Sequence, residues 1–80
     1  MPRPEDMEGA KIVRKELARR PIDTSLLMIT VSHGVVRIGG QVRAMRGHEM
    51  DIRSEMELIA KMLRQRQGIR DVVLECIMRE

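Results

Sequence analysis

The sequence contains no aromatic residue and a single cysteine. Without Phe, Tyr or Trp, the chain lacks the rings on which single-strand nucleic-acid binders stack bases and the aromatic belt typical of membrane proteins. Cys76 has no second cysteine, so an intrachain disulfide and a zinc site built from several cysteines are excluded. A domain of only 80 residues therefore has neither a disulfide nor such a zinc site to stabilise its small core. Association with a partner subunit is the remaining source of extra stability.

Long apolar runs and a basic, apolar leader are also missing. The sequence begins MPRPEDMEGAK, with acids and prolines where a signal peptide carries basic and then apolar residues. No apolar run approaches the ~18 residues of a membrane-spanning helix. These features predict a cytoplasmic chain that folds as one domain over residues 1–80. Its net charge of +3 arises from 15 basic and 12 acidic residues that are interspersed, which permits an anionic partner without requiring one.

Residues 4–20 have the pattern of a first helix. Pro4 suits the first turn, and Arg19 and Arg20 lie near the negative end of the helix dipole before Pro21. The short apolar stripe of this helix consists of Ala10, Val13 and Leu17. The charged remainder is typical of a solvated helix face.

The following residues alternate as a β-hairpin does. Leu27, Ile29 and Val31 occupy every second position up to Ser32, which is the period of a half-buried strand. His33 and Gly34 then fit a two-residue turn that needs positive φ at both positions. We therefore expect Gly34 to have a structural role and His33 to be a turn residue rather than a catalyst.

The returning strand contains an unexpected glycine. Gly40 falls between Ile38 and Val42 on the predicted core face, although glycine weakens a strand and packs nothing. We expect it to be structural and to mark a place where a helix packs too closely on the sheet for a side chain.

A second helix and a third strand complete the pattern. Apolar residues recur at helical spacing in Met56, Ile59, Ala60 and Leu63. The helix starts either at the capping box Ser54-x-x-Glu57 or at Asp51, and residues 43–53 either extend it or form a loop. Gln67 and Gly68 fit a left-handed cap at its end. The alternating residues of the third strand are Val72, Leu74, Cys76 and Met78.

The order helix, hairpin, helix and strand, with the segments ITVSHGVVRIGGQV and IAKMLRQRQGIRDVVLECIM, resembles the BON domain, named for bacterial osmotic-stress and nodulation proteins. The resemblance covers roughly residues 8–78. Its pattern is occupied by Gly34, Val35, Val36, Ile38, Gly40, Ile59, Ala60, Gly68, Ile69 and Val72. It implies an α+β, two-layer αββαβ sandwich, in which a three-stranded mixed sheet carries two helices on one face. It also implies a non-enzymatic role, often association with anionic phospholipid surfaces or protein partners.

Catalysis finds little support among the reactive side chains. A nucleophilic site needs a nucleophile, a base and an orienting acid within reach, but His33 lies in a predicted turn and Cys76 on a predicted buried strand face. His48, Glu49 and Asp51 form the one cluster that could bind a cation, yet acids at a helix start more often serve as caps. We expect no enzyme activity, no metal and no cofactor.

Nucleic-acid binding is a minor alternative. The isoelectric point near 9.8 is compatible with nucleic-acid binding. The order of helix, hairpin, helix and strand partly resembles that of the KH module. That module clamps a single strand with a Gly-x-x-Gly loop between two helices, and no such loop occurs between the helical patterns of this sequence.

A binding or assembly module is the third class, and it has two forms. Arg37, Arg43 and Arg46 follow the outward side of the second strand and are the candidate contacts to an acidic membrane surface, where each basic group contributes roughly 1 kcal/mol. The alternative is self-association. Ring-building domains of bacterial secretion systems resemble this fold and pack side by side, so a ring- or complex-building subunit is an alternative.

Self-association would use the sheet face away from the helices. The apolar residues predicted there are Met28, Val35, Val73 and Ile77, and a two-layer domain has nothing of its own to cover them. A two-fold contact lets one patch meet itself, with Arg37 facing Glu75 of the second chain. The predicted partners are therefore a second copy, an acidic membrane surface or another protein.

Overall fold

The computed structural model of the protein describes residues 4–47 and 51–79. These residues form two helices and five strands, which confirms the α+β class. In chain order the elements are α1 (Pro4–Ala18), β1 (Ile22–Asp23), β2 (Leu27–Ser32), β3 (Val35–Ala44), α2 (Ile52–Arg64), β4 (Asp71–Leu74) and β5 (Ile77–Arg79).

Strand β3 is the centre of the sheet, because every other strand pairs with it. Along its first half it lies antiparallel to β2 and parallel to β4, and along its second half it lies antiparallel to β1 and parallel to β5. The first predicted strand corresponds to β2 and is preceded, across the turn at residues 24–26, by the additional short strand β1. The predicted third strand is divided at residues 75–76. The sheet therefore has five strands in place of the three that were predicted.

One cluster of buried side chains joins both helices to the sheet. Val36 and Ile38 of β3 are fully buried, and since they are two residues apart they share one face of the strand. The buried apolar residues are Val13, Leu17, Ile22, Val36, Ile38, Val42, Ile52, Met56, Ile59, Ala60, Leu63, Ile69 and Val72. The predicted apolar positions of α2 are all confirmed, whereas Ala10 of α1 is only half-buried.

The start of α2 follows the second of the two predicted alternatives. Asp51 is the N-cap, and its carboxylate accepts hydrogen bonds from the backbone N–H of Ser54 at 3.3 Å and from the Ser54 hydroxyl at 3.0 Å. Ser54 therefore lies inside the helix, and the predicted capping box that begins at Ser54 is wrong. Residues 43 and 44 belong to β3, so the helix does not extend back to them.

The end of α2 comes earlier than predicted. The last helical residue is Arg64 and the C-cap is Gln65. Gly68 does have the predicted left-handed conformation, with φ of +92°, but it lies in a separate turn in which Ile69 N–H donates to the carbonyl of Arg66 at 3.2 Å. Its structural role is therefore in the connection to β4 and not in the helix cap.

The hairpin turn has the predicted form. His33 and Gly34 have φ values of +53° and +79°, and Ser32 pairs with Val35 across the turn. A Cβ atom on Gly34 would lie 2.9 Å from Cγ of Arg70, so Gly34 is required by packing as well as by its backbone conformation.

Gly40 lacks room for a side chain because of a neighbouring turn. A Cβ atom at Gly40 would collide with the carbonyl oxygen of Leu26 and lie 3.1 Å from its carbonyl carbon. Gly40 also has φ of +85°, which L-residues rarely adopt. Its predicted contact with a helix is wrong, since the nearest atoms belong to Leu26 and Leu27.

Two other predictions concern reactive groups. Cys76 lies in the break between β4 and β5, half-buried against the core, and not within a strand as predicted. Its burial raises the pKa of the thiol. His48 and Glu49 of the proposed cation cluster lie outside the described residues.

Within the described part of the chain, neither helix has the length and apolar character needed to cross a membrane.

Candidate functional site

The sheet face that does not carry the buried cluster is the most distinctive surface of the fold, and we call it the open face. Side chains alternate along β3, so Arg37 projects from this face between the buried residues Val36 and Ile38. Met28 alternates in the same way with Leu27 and Ile29 of β2, which pack against the core. The predicted interface residues are therefore on the side where they were expected.

Two large apolar side chains stand out on the open face. Met28 is 69% exposed and Ile77 is 57% exposed. They lie on opposite sides of β3, because Met28 pairs with Gly39 and Ile77 pairs with Gln41. Together with two half-buried valines and the glycine between them, they form what we call the open-face patch: Met28, Val35, Gly39, Val73 and Ile77.

Gly39 is the member of this patch to which the sequence assigned no role. A Cβ atom there would meet only the carbonyl oxygen of Met28, at the ordinary contact distance of 4.0 Å. Gly39 also lies outside the positive-φ glycines of the described residues, so neither space nor backbone conformation requires glycine. A side chain added at Gly39 would therefore have room on the open face, and we call this space beside Met28 the hollow at Gly39.

Two charged residues of the open face, Arg37 and Glu75, pair with each other within the chain. Arg37 Nη1 lies 2.8 Å from Glu75 Oε1, and both side chains are at least half exposed. Arg37 thus pairs with Glu75 of its own chain, and a pairing with Glu75 of a second chain stays a prediction. A surface ion pair of this kind adds little to stability, but it places both signs of charge beside the open-face patch.

The three predicted membrane-binding arginines are not gathered into one site. Arg43 Nε lies 3.2 Å from Asp23 Oδ2, and Arg37 is paired as described above. Hydrogen bonds from Ser25, followed by Arg43, lower the pKa of Asp23, so this carboxylate is charged at neutral pH. Arg46 lies exposed in the turn that follows β3.

An additional arginine, which sequence reasoning did not select, lies beside this group. Arg79 of β5 pairs in register with Arg43, and its Nε donates to Oε1 of Gln41 at 2.9 Å. A shallow depression beside them is lined by Asp23, Leu26, Gln41, Val42, Arg43 and Arg79. The only sequence signal for Arg79 was its place in the alternation of the last strand.

Asp6 is the second residue that sequence reasoning missed. The carboxylate is buried, and it accepts hydrogen bonds from the backbone N–H groups of His33 and Gly34, both at 3.1 Å. It therefore holds the tip of the hairpin against α1, and with it the strands that present the open-face patch. From sequence alone, an acid in the first helical turn indicates only a favourable interaction with the helix dipole.

No protein-family model, no curated protein and no solved structure matches the chain. Among the described residues, no group of three or more His, Cys, Asp or Glu side chains is placed to hold a metal ion.

Proposed function

We propose that the protein is a non-enzymatic assembly module that forms a two-fold dimer through the open-face patch. We further propose that α1, β2, β3, α2 and β4 constitute an αββαβ sandwich like that of the BON domain, with β1 and β5 as short extensions of its outer strands. The observation that carries the proposal is the exposure of Met28 and Ile77 on either side of the hollow at Gly39.

A second copy of the chain fits this surface better than an unrelated partner does. In a two-fold dimer the open-face patch of one copy contacts the open-face patch of the other. Met28 of each copy can therefore enter the hollow at Gly39 of the other. Each copy also carries both signs of charge beside the patch, in the pairs formed by Arg37 with Glu75 and by Arg43 with Asp23. Two such surfaces can therefore meet without opposing like charges.

The size of the open face predicts a weak dimer. Strand β3 has ten residues and is about 33 Å long, and neighbouring strands lie about 5 Å apart. A face of that length and three strands in width has an area near the lower end of the range for specific interfaces, where association is weak or transient. Burial of one large apolar side chain contributes about 1.5 to 3 kcal/mol, while association costs at least about 4 kcal/mol. We expect dissociation constants in the micromolar range.

Equilibrium sedimentation from about 5 to about 200 μM tests this proposal, because half-association falls near the dissociation constant. The wild type should shift from monomer toward dimer, and the Met28→Glu, Ile77→Glu double variant should remain monomeric. The matched control is Met7→Glu with Leu58→Glu, which removes two exposed apolar side chains from the helices. A monomeric wild type, or equal loss of dimer in both variants, contradicts the proposal.

Adhesion to an acidic phospholipid surface is a second candidate, supported by the adjacent Arg43 and Arg79 and by the exposed Arg46 beyond them. Flotation with phosphatidylglycerol vesicles tests it against the variant in which Arg43, Arg46 and Arg79 are changed to Gln. Binding should be lost in this variant and should fade for the wild type by about 0.5 M salt, where screening is short-ranged. In the sedimentation experiment, species larger than a dimer favour the ring- or complex-building alternative.

A further inference from the structure

A basic cleft lies on the helix side of the molecule, away from the open face. Lys11 and Lys15 lie four residues apart and therefore share one row along α1. Arg19 follows directly after the end of the helix. Arg66, in the turn after α2, faces this row. The cleft between them is lined by Glu8, Lys11, Ile12, Lys15, Glu16, Arg19 and Arg66.

A buried carboxylate forms the base of the cleft. Glu16 is only 5% exposed, and its Oε2 lies 3.9 Å from Arg19 Nη1 and 3.9 Å from Arg66 Nη2. The two guanidinium nitrogens share one oxygen atom, so they can be separated by no more than twice that distance. Two parts of the fold therefore bring two positive groups to one place.

The contacts to Glu16 differ in closeness. Arg20 is the tightly held partner, with Nη2 3.4 Å from Glu16 Oε1 and Nη1 3.1 Å from Glu55 Oε1. By contrast, 3.9 Å is too long for a hydrogen bond, and the side chains of Arg19 and Arg66 are 63% and 53% exposed. Their N–H groups can turn to a ligand while Glu16 keeps Arg20.

We propose that this cleft binds the phosphoryl groups of a small soluble anion such as pyrophosphate. Arg19 and Arg66 donate hydrogen bonds to its terminal oxygens, and Lys15 adds positive charge. A phosphoryl group offers several charged oxygens that match the planar donors of guanidinium groups. A soluble ligand is favoured over a bilayer because the donors converge on a concave cleft. The proposal is independent of self-association, which uses the open face.

Titration with sodium pyrophosphate, followed by ¹H–¹⁵N NMR, tests the proposal. At low salt we expect saturable shifts at Lys15, Arg19 and Arg66. The Arg19→Gln, Arg66→Gln variant should bind at least about tenfold more weakly, since each hydrogen bond between charged groups contributes substantially. The control Arg14→Gln, Arg53→Gln removes the same charge from exposed helix positions outside the cleft and should bind as the wild type does.

The Glu16→Gln variant gives a positive test. It removes the negative charge at the base of the cleft and preserves the shape of the side chain, so pyrophosphate should bind more tightly. Circular dichroism confirms that each variant remains folded. The proposal is overturned if the wild type shows no saturable shifts up to about 10 mM pyrophosphate, a range that covers even millimolar affinity. Equal weakening in the control variant, or binding to phosphatidylglycerol vesicles through Arg19 and Arg66 without pyrophosphate binding, also overturns it.

Discussion

Two adjacent glycines of β3 should respond in opposite ways to the same substitution. Gly40 has φ of +85°, and an added Cβ atom would collide with the carbonyl oxygen of Leu26. Gly39 has an open hollow above it, and an added Cβ atom would lie 4.0 Å from the nearest atom, the carbonyl oxygen of Met28. Gly40→Ala and Gly39→Ala add the same methyl group at neighbouring positions. A difference in stability between the two variants therefore reports the local surroundings of each glycine.

The expected loss at Gly40 is large for a domain of this size. A left-handed conformation costs an alanine about 1 to 2 kcal/mol, and a side chain forced against packed atoms costs about 1 to 3 kcal/mol. The combined cost is about 2 to 5 kcal/mol, compared with a total stability of about 4 to 12 kcal/mol for 80 residues. Alanine at Gly39 should instead be neutral or stabilise by up to about 1 kcal/mol, because the unfolded chain loses entropy.

Thermal unfolding followed by circular dichroism measures this difference. Each kcal/mol corresponds to about 4 to 8 °C in a domain of this length, so Gly40→Ala should melt at least about 8 °C below the wild type. Gly39→Ala should melt at or above the wild-type temperature. If the two variants melt together, the account of Gly40 as a position without room for a side chain is refuted.

Three further predictions concern aspartates. Asp6→Ala leaves the buried N–H of Gly34 without its acceptor, so chemical denaturation should show a loss of about 1 to 3 kcal/mol; unchanged stability would refute the clamp on the hairpin. Asp51→Ala removes the N-cap of α2 and should lower the melting temperature by a few degrees, whereas Asp51→Asn, which retains an acceptor, should restore most of it. Hydrogen bonds lower the pKa of Asp23, Asp51 and Asp71 in the folded chain, so these carboxylates stabilise the fold above the unfolded pKa. That contribution disappears as the pH falls through the folded values, and the melting temperature should decline below about pH 4 and stay level from about pH 5 to 7; a level profile down to about pH 2 would contradict this.

Local features of the fold could be predicted from the sequence, and long-range ones could not. The turn at His33 and Gly34 follows from two adjacent residues that tolerate positive φ, and the core face of α2 follows from helical spacing. The contact of Asp6 with that turn joins residues 27 and 28 positions apart. No local pattern marks such a contact, because a first-turn acid has the same appearance whether it faces solvent or a buried N–H group.

The open face was predictable in part for the same reason. Alternation placed Met28 and Ile77 away from the core, but the hollow at Gly39 depends on which residues pair across β3. The hydrophobic pattern indicates neither β1 nor the break at residues 75–76, so it does not show that the turn before β2 brings Leu26 against Gly40. The basic cleft also required the tertiary structure, because Arg19 and Arg66 approach one carboxylate from two different elements.

The most direct test of dimerisation through the open-face patch is an isotope-filtered NOE experiment on an equimolar mixture of ¹³C-labelled and unlabelled protein. At about 500 μM, well above the expected micromolar dissociation constant, contacts between chains should connect the Met28 methyl group with the Gly39 α-protons and with the methyl groups of Val73 or Ile77. Helix methyl groups such as those of Leu58 should show no such contacts. Contacts between chains that involve only Leu58 and its neighbours, or no contacts between chains at that concentration, would contradict the account.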